Sequence, residues 1–218
     1  MDGMQPAPGD DALVDTLREA IIAGAYLPGA RLNEAAVSAE LGVSRNTLRE
    51  AFGVLTEQGL LTRIPHRGVS VGSPSTAAVI DLYRMRRLIE CGVLAVADPL
   101  HPAVAGMRAA IAAGEAAIEG SDWSAVGTAN MDYHTALVSL ADSPRLARTY
   151  RNTAAELRLA FMKIDNPEQL HRPFVVRNAE IVERLAANEP SEAARLLERY
   201  LIDSERTVLA AYTRLGIG

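Results

Sequence analysis

The sequence predicts a mainly α-helical protein in two parts: three short helices with a β-hairpin, then an all-α helical bundle. Three observations carry this. Apolar residues make up 49% of the 218 residues and aromatics only 5%, which favours helices packed through small and aliphatic side chains. Apolar side chains recur at helical spacing along most of the chain. The period shifts to that of strands in one segment, between Leu60 and Val71.

The elements follow in order. Residues 1–9 hold two prolines and two glycines and read as a loose tail. Asp10 or Asp11 can cap a first helix carrying Leu13, Leu17, Ala20 and Ile21, which Gly24 ends. After the Pro28-Gly29 turn, Asn33 caps a short helix with Ala36, Val37 and Leu41, broken by Gly42. Ser44 caps a third helix running to about Gln58, its apolar stripe being Leu48, Ala51, Phe52 and Leu55, with Gly59 as its stop. Residues 60–64 read as a strand, 65–68 as a turn and 69–71 as the return strand. Three helices and a hairpin in that order form a winged helix-turn-helix.

This places the first domain at 10–72 and a linker at 73–76. The all-helical domain at 77–218 has helices near 76–97, 102–119, 123–141, 144–164, 173–188 and 191–215. Its separators are Asp98-Pro99, Gly120-Ser121-Asp122, Asp142-Ser143-Pro144, Asp165-Asn166-Pro167 and Glu189-Pro190.

Charge constrains function. The net charge of −5 argues mildly against a phosphate binder. From Arg31 to Gly68, five arginines (31, 45, 49, 63, 67) face four glutamates (34, 40, 50, 57), so affinity for DNA would come from a few placed arginines. Lys163 is the only lysine among 22 basic residues. The single cysteine, Cys91, excludes an intrachain disulfide and a cysteine-rich zinc site and fits a reducing cytoplasm. No apolar run is long enough to span a membrane, and the acidic, polar start does not resemble a signal peptide.

In a helix-turn-helix the second helix enters the major groove by its N-terminal end. Here that end is Ser44-Arg45-Asn46-Thr47-Leu48-Arg49. With Leu48, Phe52 and Leu55 turned to the core, Arg45, Asn46 and Arg49 project outward. Arginine pairs with guanine and asparagine with adenine, while the Ser44 and Thr47 hydroxyls and the helix terminus suit phosphate. The hairpin tip, His66-Arg67-Gly68, could reach the minor groove. The plain alternative is a solvated helix face with an Arg49 salt bridge.

These residues resemble the GntR family of bacterial regulators, in its FadR-like branch with an FCD effector domain. The resemblance runs through Tyr26-x-Pro28-Gly29-x-x-Leu32-x-Glu34, Leu41-Gly42-Val43-Ser44-Arg45, Leu48-Arg49-Glu50-Ala51, Leu55-x-x-x-Gly59-Leu60-Leu61 and Arg67-Gly68-x-x-Val71. Asn46-Thr47 stands where many members have Thr-Pro, Phe52 where they have Leu, and Ala35 where some carry a DNA-contacting arginine. The resemblance implies DNA contacts from Ser44, Arg45, Asn46, Thr47, Arg49 and a wing holding His66, Arg67 and Gly68. It also implies a homodimer on double-stranded, near-palindromic operator DNA.

Beyond residue 76 the chain resembles the FCD domain, through Leu82-Tyr83-x-x-Arg86-x-x-Ile89-Glu90 and Asp132-Tyr133-His134-x-x-Leu137. Many members hold a metal with an Asp or Asn four residues before a histidine and two later histidines. The metal then helps hold a small carboxylate. Asn130 and His134 fit the first pair, but Asn178 and Tyr200 fall on the later positions. One imidazole with two amides is a poor zinc or nickel site, so no tightly held transition metal is expected. The expected effector residues are Arg86, Asn130, His134, Asn178 and Tyr200, with Arg86 as the clamp for an acidic effector. The plain alternatives are a core histidine at 134 and an Arg86–Glu90 ion pair. Arg158 is a weaker clamp candidate, and His66, His101 and His171 are assigned to the wing or loops.

A transcription regulator, a repressor, whose operator affinity a small acidic metabolite controls is therefore expected; an effector-independent DNA-binding dimer, its helical domain serving only to dimerise, is the alternative. A metal-dependent enzyme is disfavoured, because no HExxH, phosphate-binding glycine loop, GxSxG or nucleophile–base pair is present.

Overall fold

A computed structural model describes residues 10–65 and 67–218; the expected tail at 1–9 and the wing-tip His66 lie outside the described residues. The N-terminal unit runs α1 (Asp10–Ile22), β1 (Arg31–Leu32), α2 (Glu34–Glu40), α3 (Arg45–Glu57), β2 (Leu61–Ile64) and β3 (Gly68–Val71). The three strands form an antiparallel sheet in the order β1-β3-β2, with Leu61 opposite Val71, Ile64 opposite Gly68 and Arg31 opposite Ser70. β1 was not expected, because two residues are too few to display a period.

Local chemistry explains the breaks. The Asn33 side-chain oxygen accepts from the Ala35 and Ala36 amides and starts α2. Gly42 (φ +65°) and Gly59 (φ +76°) take the left-handed backbone that stops α2 and α3. Leu13, Leu17, Ile21, Leu48, Phe52 and Leu55 meet in one buried core. Ala155 and Leu159, from the helical bundle, pack into that same core.

The second unit comprises α4 (Thr76–Arg86), a π-helical turn (Arg87–Cys91), α5 (Gly92–Leu94), α6 (Ala103–Glu119), α7 (Trp123–Ser139), α8 (Pro144–Phe161), α9 (Pro167–Ala186) and α10 (Pro190–Arg214). The single helix expected over 76–97 is thus interrupted by a π turn. α9 begins six residues before the expected start at 173. Pro167 occupies the first turn, where a missing N–H costs nothing, and the Asn166 side chain caps the Gln169 amide. Pro173 then lies inside the helix. His171, assigned to a loop from the sequence, is consequently a buried residue of α9.

The joint between the units is tight. The Gly72 amide donates to the Leu60 carbonyl at 2.8 Å, and a Cβ at Gly72 would lie 2.6 Å from the Gly59 carbonyl oxygen. The Pro74 carbonyl accepts from Lys163 Nζ (3.1 Å) and from the Tyr212 hydroxyl (3.3 Å). No described helix is long and apolar enough to cross a membrane.

Candidate functional site

Two regions concentrate polar chemistry. The first is the N-terminal end of α3. Ser44 is its N-cap: the hydroxyl accepts from the Thr47 amide at 3.1 Å and lies 2.9 Å from the Thr47 hydroxyl. Leu48, Ala51, Phe52 and Leu55 are buried, which turns Arg45, Asn46 and Arg49 outward to solvent. Asn46 donates to Glu50 at 2.9 Å, and Arg49 Nε lies 3.2 Å from a Glu34 carboxylate oxygen. Arg45 has no side-chain partner among the described residues.

The wing stands beside this helix. Glu34, Arg49, Phe52, Arg63, Pro65 and Gly68 line one cleft of about 330 Å³ between α3 and the hairpin. Arg67 is exposed, and its amide closes the turn on the Ile64 carbonyl at 3.0 Å. Gly68 has φ +88° with open space where a Cβ would stand, so the wing can approach a neighbour by its backbone.

The second region lies inside the helical bundle. Arg86, Asn130, His134, Asn178 and Tyr200, drawn from four helices, do converge there and all are buried. Arg86 Nε donates to Glu90 Oε1 at 2.7 Å, and the Tyr150 hydroxyl donates to the same oxygen at 2.7 Å. His134 Nδ1 lies 2.7 Å from Glu90 Oε2, and its Nε2 lies 3.0 Å from the Tyr200 hydroxyl. Asn130 Oδ1 accepts from the Tyr200 hydroxyl (3.0 Å) and from Asn178 Nδ2 (2.8 Å). The Arg86–Glu90 pair is therefore real, but it sits in the core and not on the surface.

The charges order the protons. Burial alone would raise the Glu90 carboxyl, but the adjacent Arg86 guanidinium and His134 ring hold it down at about 2. Burial lowers His134, outweighing the pull of Glu90 the other way, so the ring is neutral. Against an ionised carboxylate, its one proton belongs on Nδ1. Nε2 is then an acceptor facing the Tyr200 hydroxyl, whose pKa burial pushes upward and so keeps protonated. Tyr200 has one proton to offer between His134 and Asn130. Among the described residues, three buried polar atoms lack partners: Arg86 Nη2, the Tyr133 hydroxyl oxygen and Asn178 Oδ1.

The sequence named Glu90 only as a partner for Arg86, though it is the hub. Tyr150 carried no signal and Tyr133 only its place in the FCD resemblance, since an aromatic on a helix's apolar stripe reads as core. Arg158 stands apart from the cluster, beside His171, Gly127 and Ser124. His101 caps the approach to α6, accepting from the Ala103 amide at 3.0 Å.

Known proteins share this architecture. The family model of the gntR family of bacterial regulatory proteins matches residues 10–71, and that of the FCD domain matches residues 81–203. The chain is 38% identical to a GntR transcriptional regulator of Rhodococcus sp. RHA1 of known structure (TM-score 0.88), over 93% of this chain and 98% of that one. It is 30% identical to the Nta operon transcriptional regulator of Aminobacter aminovorans, over 62% of this chain and 65% of that protein. It is 27% identical to the transcriptional repressor RspR of Escherichia coli, over 92% of this chain and 89% of that protein. With both family models matched in order along one chain, this protein belongs to the GntR family of transcription regulators, with a GntR DNA-binding domain followed by an FCD effector-binding domain.

Proposed function

We propose that the protein is a repressor that binds a near-palindromic operator as a homodimer, with affinity set by a small acidic metabolite. The observation that carries the DNA reading is the outward set Arg45, Asn46 and Arg49 on a helix whose N-terminus Ser44 caps, beside a wing bearing Arg67 and Gly68. Arg45 and Arg49 are one turn apart and would share a major-groove face. Ser44 and Thr47 would meet phosphate. Selection of bound sequences from random duplexes, followed by footprinting, tests this. Two half-sites about one helical turn apart, or a multiple of that, are expected, and protection without a common sequence would defeat the reading.

Homodimerisation is supported by an apolar stripe. Leu88 (80% exposed), Gly92 and Val96 (84% exposed) stand at four-residue intervals. Such a stripe is suited to a second copy of the same chain.

The effector reading rests on the orphaned atoms of the bundle. Arg86 Nη2, Tyr133 Oη and Asn178 Oδ1 are buried with no partner among the described residues, and a small polar ligand would complete them. Arg86 would then pair with a carboxylate through its free nitrogen. The residues do not fit a transition metal. Both nitrogens of the only imidazole in the cluster are engaged, the two amides bond to one another, and among the described residues no three His, Cys, Asp or Glu side chains gather. We therefore propose that the site works with hydrogen bonds in place of metal. The protein is not proposed as an enzyme; its chemistry is binding.

The alternative is a dimer that binds DNA without an effector. It is favoured by the degree to which Asn130, His134, Asn178 and Tyr200 already satisfy one another. Native mass spectrometry of the purified chain decides between the two. A retained organic acid supports the first reading; a bare dimer whose operator affinity no organic acid changes supports the second.

A further inference from the structure

We infer that Arg158, with His171 over Gly127, forms a separate binding site for a small carboxylate with an apolar tail, at the junction of the DNA-binding unit and the helical bundle. The site does not depend on the effector reading of the Arg86 cluster.

Arg158 is 8% exposed, yet it makes no ion pair among the described residues. This separates it from Arg86, whose charge Glu90 neutralises. Its contacts are to neutral oxygens and are long. Nη2 reaches the Ser124 carbonyl at 3.4 Å and the Ser124 hydroxyl at 3.3 Å, and Nε reaches the Ile22 carbonyl at 3.5 Å. Nη1 has no hydrogen-bond partner among the described residues. A buried guanidinium without a counter-charge is costly to keep. An oxyanion would supply that counter-charge through two parallel N–H···O bonds.

The surroundings are shaped for one. A Cβ at Gly127 would lie 2.4 Å from Arg158 Nη1 and 2.9 Å from His171 Nε2, so both groups occupy their places only because residue 127 lacks a side chain. Burial and the neighbouring Arg158 hold His171 down at about 4, so its ring is neutral and offers an N–H donor without adding charge. Arg158 lines a cavity of about 240 Å³ walled by Trp123, Phe161, Met162 and Ile164, with His171 in its lining. That is room for a ligand of benzoate size, with apolar walls for its tail. A second, wider opening of about 490 Å³ that also reaches Arg158 carries Asp122 and Asp132. Their charge disfavours a doubly charged phosphate and selects a monoanion. An occupant would engage the guanidinium that now touches Ile22, the last residue of α1 in the DNA-binding unit.

The test is calorimetric titration of the full chain with sodium benzoate and sodium isovalerate at fixed ionic strength, with benzyl alcohol and inorganic phosphate as comparisons. At least one of the two carboxylates should saturate at one per chain, with the alcohol and phosphate weaker by roughly tenfold or more. Gly127→Ala fills the cradle while improving helix propensity, so it should keep the fold and still weaken the carboxylate by roughly tenfold. Arg158→Gln should do the same, and if it fails to fold Gly127→Ala decides alone. Asn178→Ala, in the other cluster, should leave the affinity unchanged. The inference is overturned if neither carboxylate saturates, if Gly127→Ala binds as the parent does, if Asn178→Ala removes the binding, or if phosphate binds equally well.

Discussion

His134 and Glu90 face each other across the bundle core with Nδ1 2.7 Å from Oε2, while the other carboxylate oxygen takes both Arg86 and Tyr150. One carboxylate thus supports three buried partners from three other positions. Glu90→Gln keeps the shape but strands the Arg86 charge. It should destabilise the fold by about 3–5 kcal/mol, as for a broken buried ion pair. Replacing both Arg86 and Glu90 with apolar residues should cost less than Glu90→Gln alone, because no charge is then left stranded. Urea denaturation of the two variants compares these costs directly, and equal losses would mean that charge compensation is not what Glu90 provides.

Acid should loosen the protein in two stages. His171 is held at about 4 in the fold, against an ordinary value near 6.5. The unfolded chain therefore takes up this proton first, and the fold loses on the order of 3 kcal/mol as pH falls from about 6.5 to 4. His134, also lowered, acts in the same direction and from the same starting pH. Glu90, held at about 2 against 4.5, contributes stability that is whole above pH 4.5 and lost below it. Stability measured from pH 7.5 down to 4 should therefore fall, and His171→Gln should flatten that fall without altering the loss below pH 4.5. A parent protein equally stable at pH 7 and pH 5 would contradict the neutral, buried histidines.

Tyr200 and Asn178 are where the bundle would need imidazoles to hold a metal. The double variant Asn178→His, Tyr200→His should gain nickel or zinc binding, because three imidazoles and the Asn130 oxygen then face one point. The parent should show no stoichiometric metal after dialysis. Elemental analysis of both proteins checks this, and a parent carrying one tightly held metal per chain would refute the hydrogen-bonded reading of the site.

The order of elements was legible because apolar period, caps and left-handed glycines agree at Ser44, Gly42 and Gly59. The same logic erred at α9. Pro167 reads as a breaker and the helix is expected only from 173, yet the helix takes Pro167 in its first turn and Pro173 within it, and that moved His171 into the core. The convergence of Asn130, His134, Asn178 and Tyr200 was legible only through family resemblance, since their separations of 4, 44 and 22 positions carry no local signal. Glu90 as hub, Tyr150 beside it, and the uncompensated charge of Arg158 were not legible. Each depends on which helices meet, and periodicity shows only which face turns inward.

On the DNA-reading face, Arg45 and Arg49 should behave differently. Arg45 has no side-chain partner among the described residues, whereas Arg49 sits against Glu34. Arg45→Ala should cost about 1–3 kcal/mol of discrimination at one base pair of each half-site. Glu34→Gln frees Arg49 and removes a negative charge beside the phosphates, so it should tighten binding to all sequences by a few-fold. Gel-shift titrations against the selected operator and its single-base variants separate these effects. An Arg45→Ala protein with unchanged base preference would remove Arg45 from the reading set.

The stripe of Leu88, Gly92 and Val96 makes the last prediction. The two large side chains are among the most exposed apolar groups described, Leu88 on the π turn and Val96 in the turn that follows α5, while Leu94 and the Arg86–Glu90 pair anchor the inner side of this segment. Introducing a charge there leaves that inner face untouched, so Val96→Asp should fold as the parent does. If a second copy covers the stripe, burying the aspartate without a partner should dissociate the dimer. Sedimentation should then report monomer at micromolar concentration, and the operator should be lost because half-sites read singly bind far more weakly than two read together. A Val96→Asp protein that remains dimeric would show that the copies meet elsewhere.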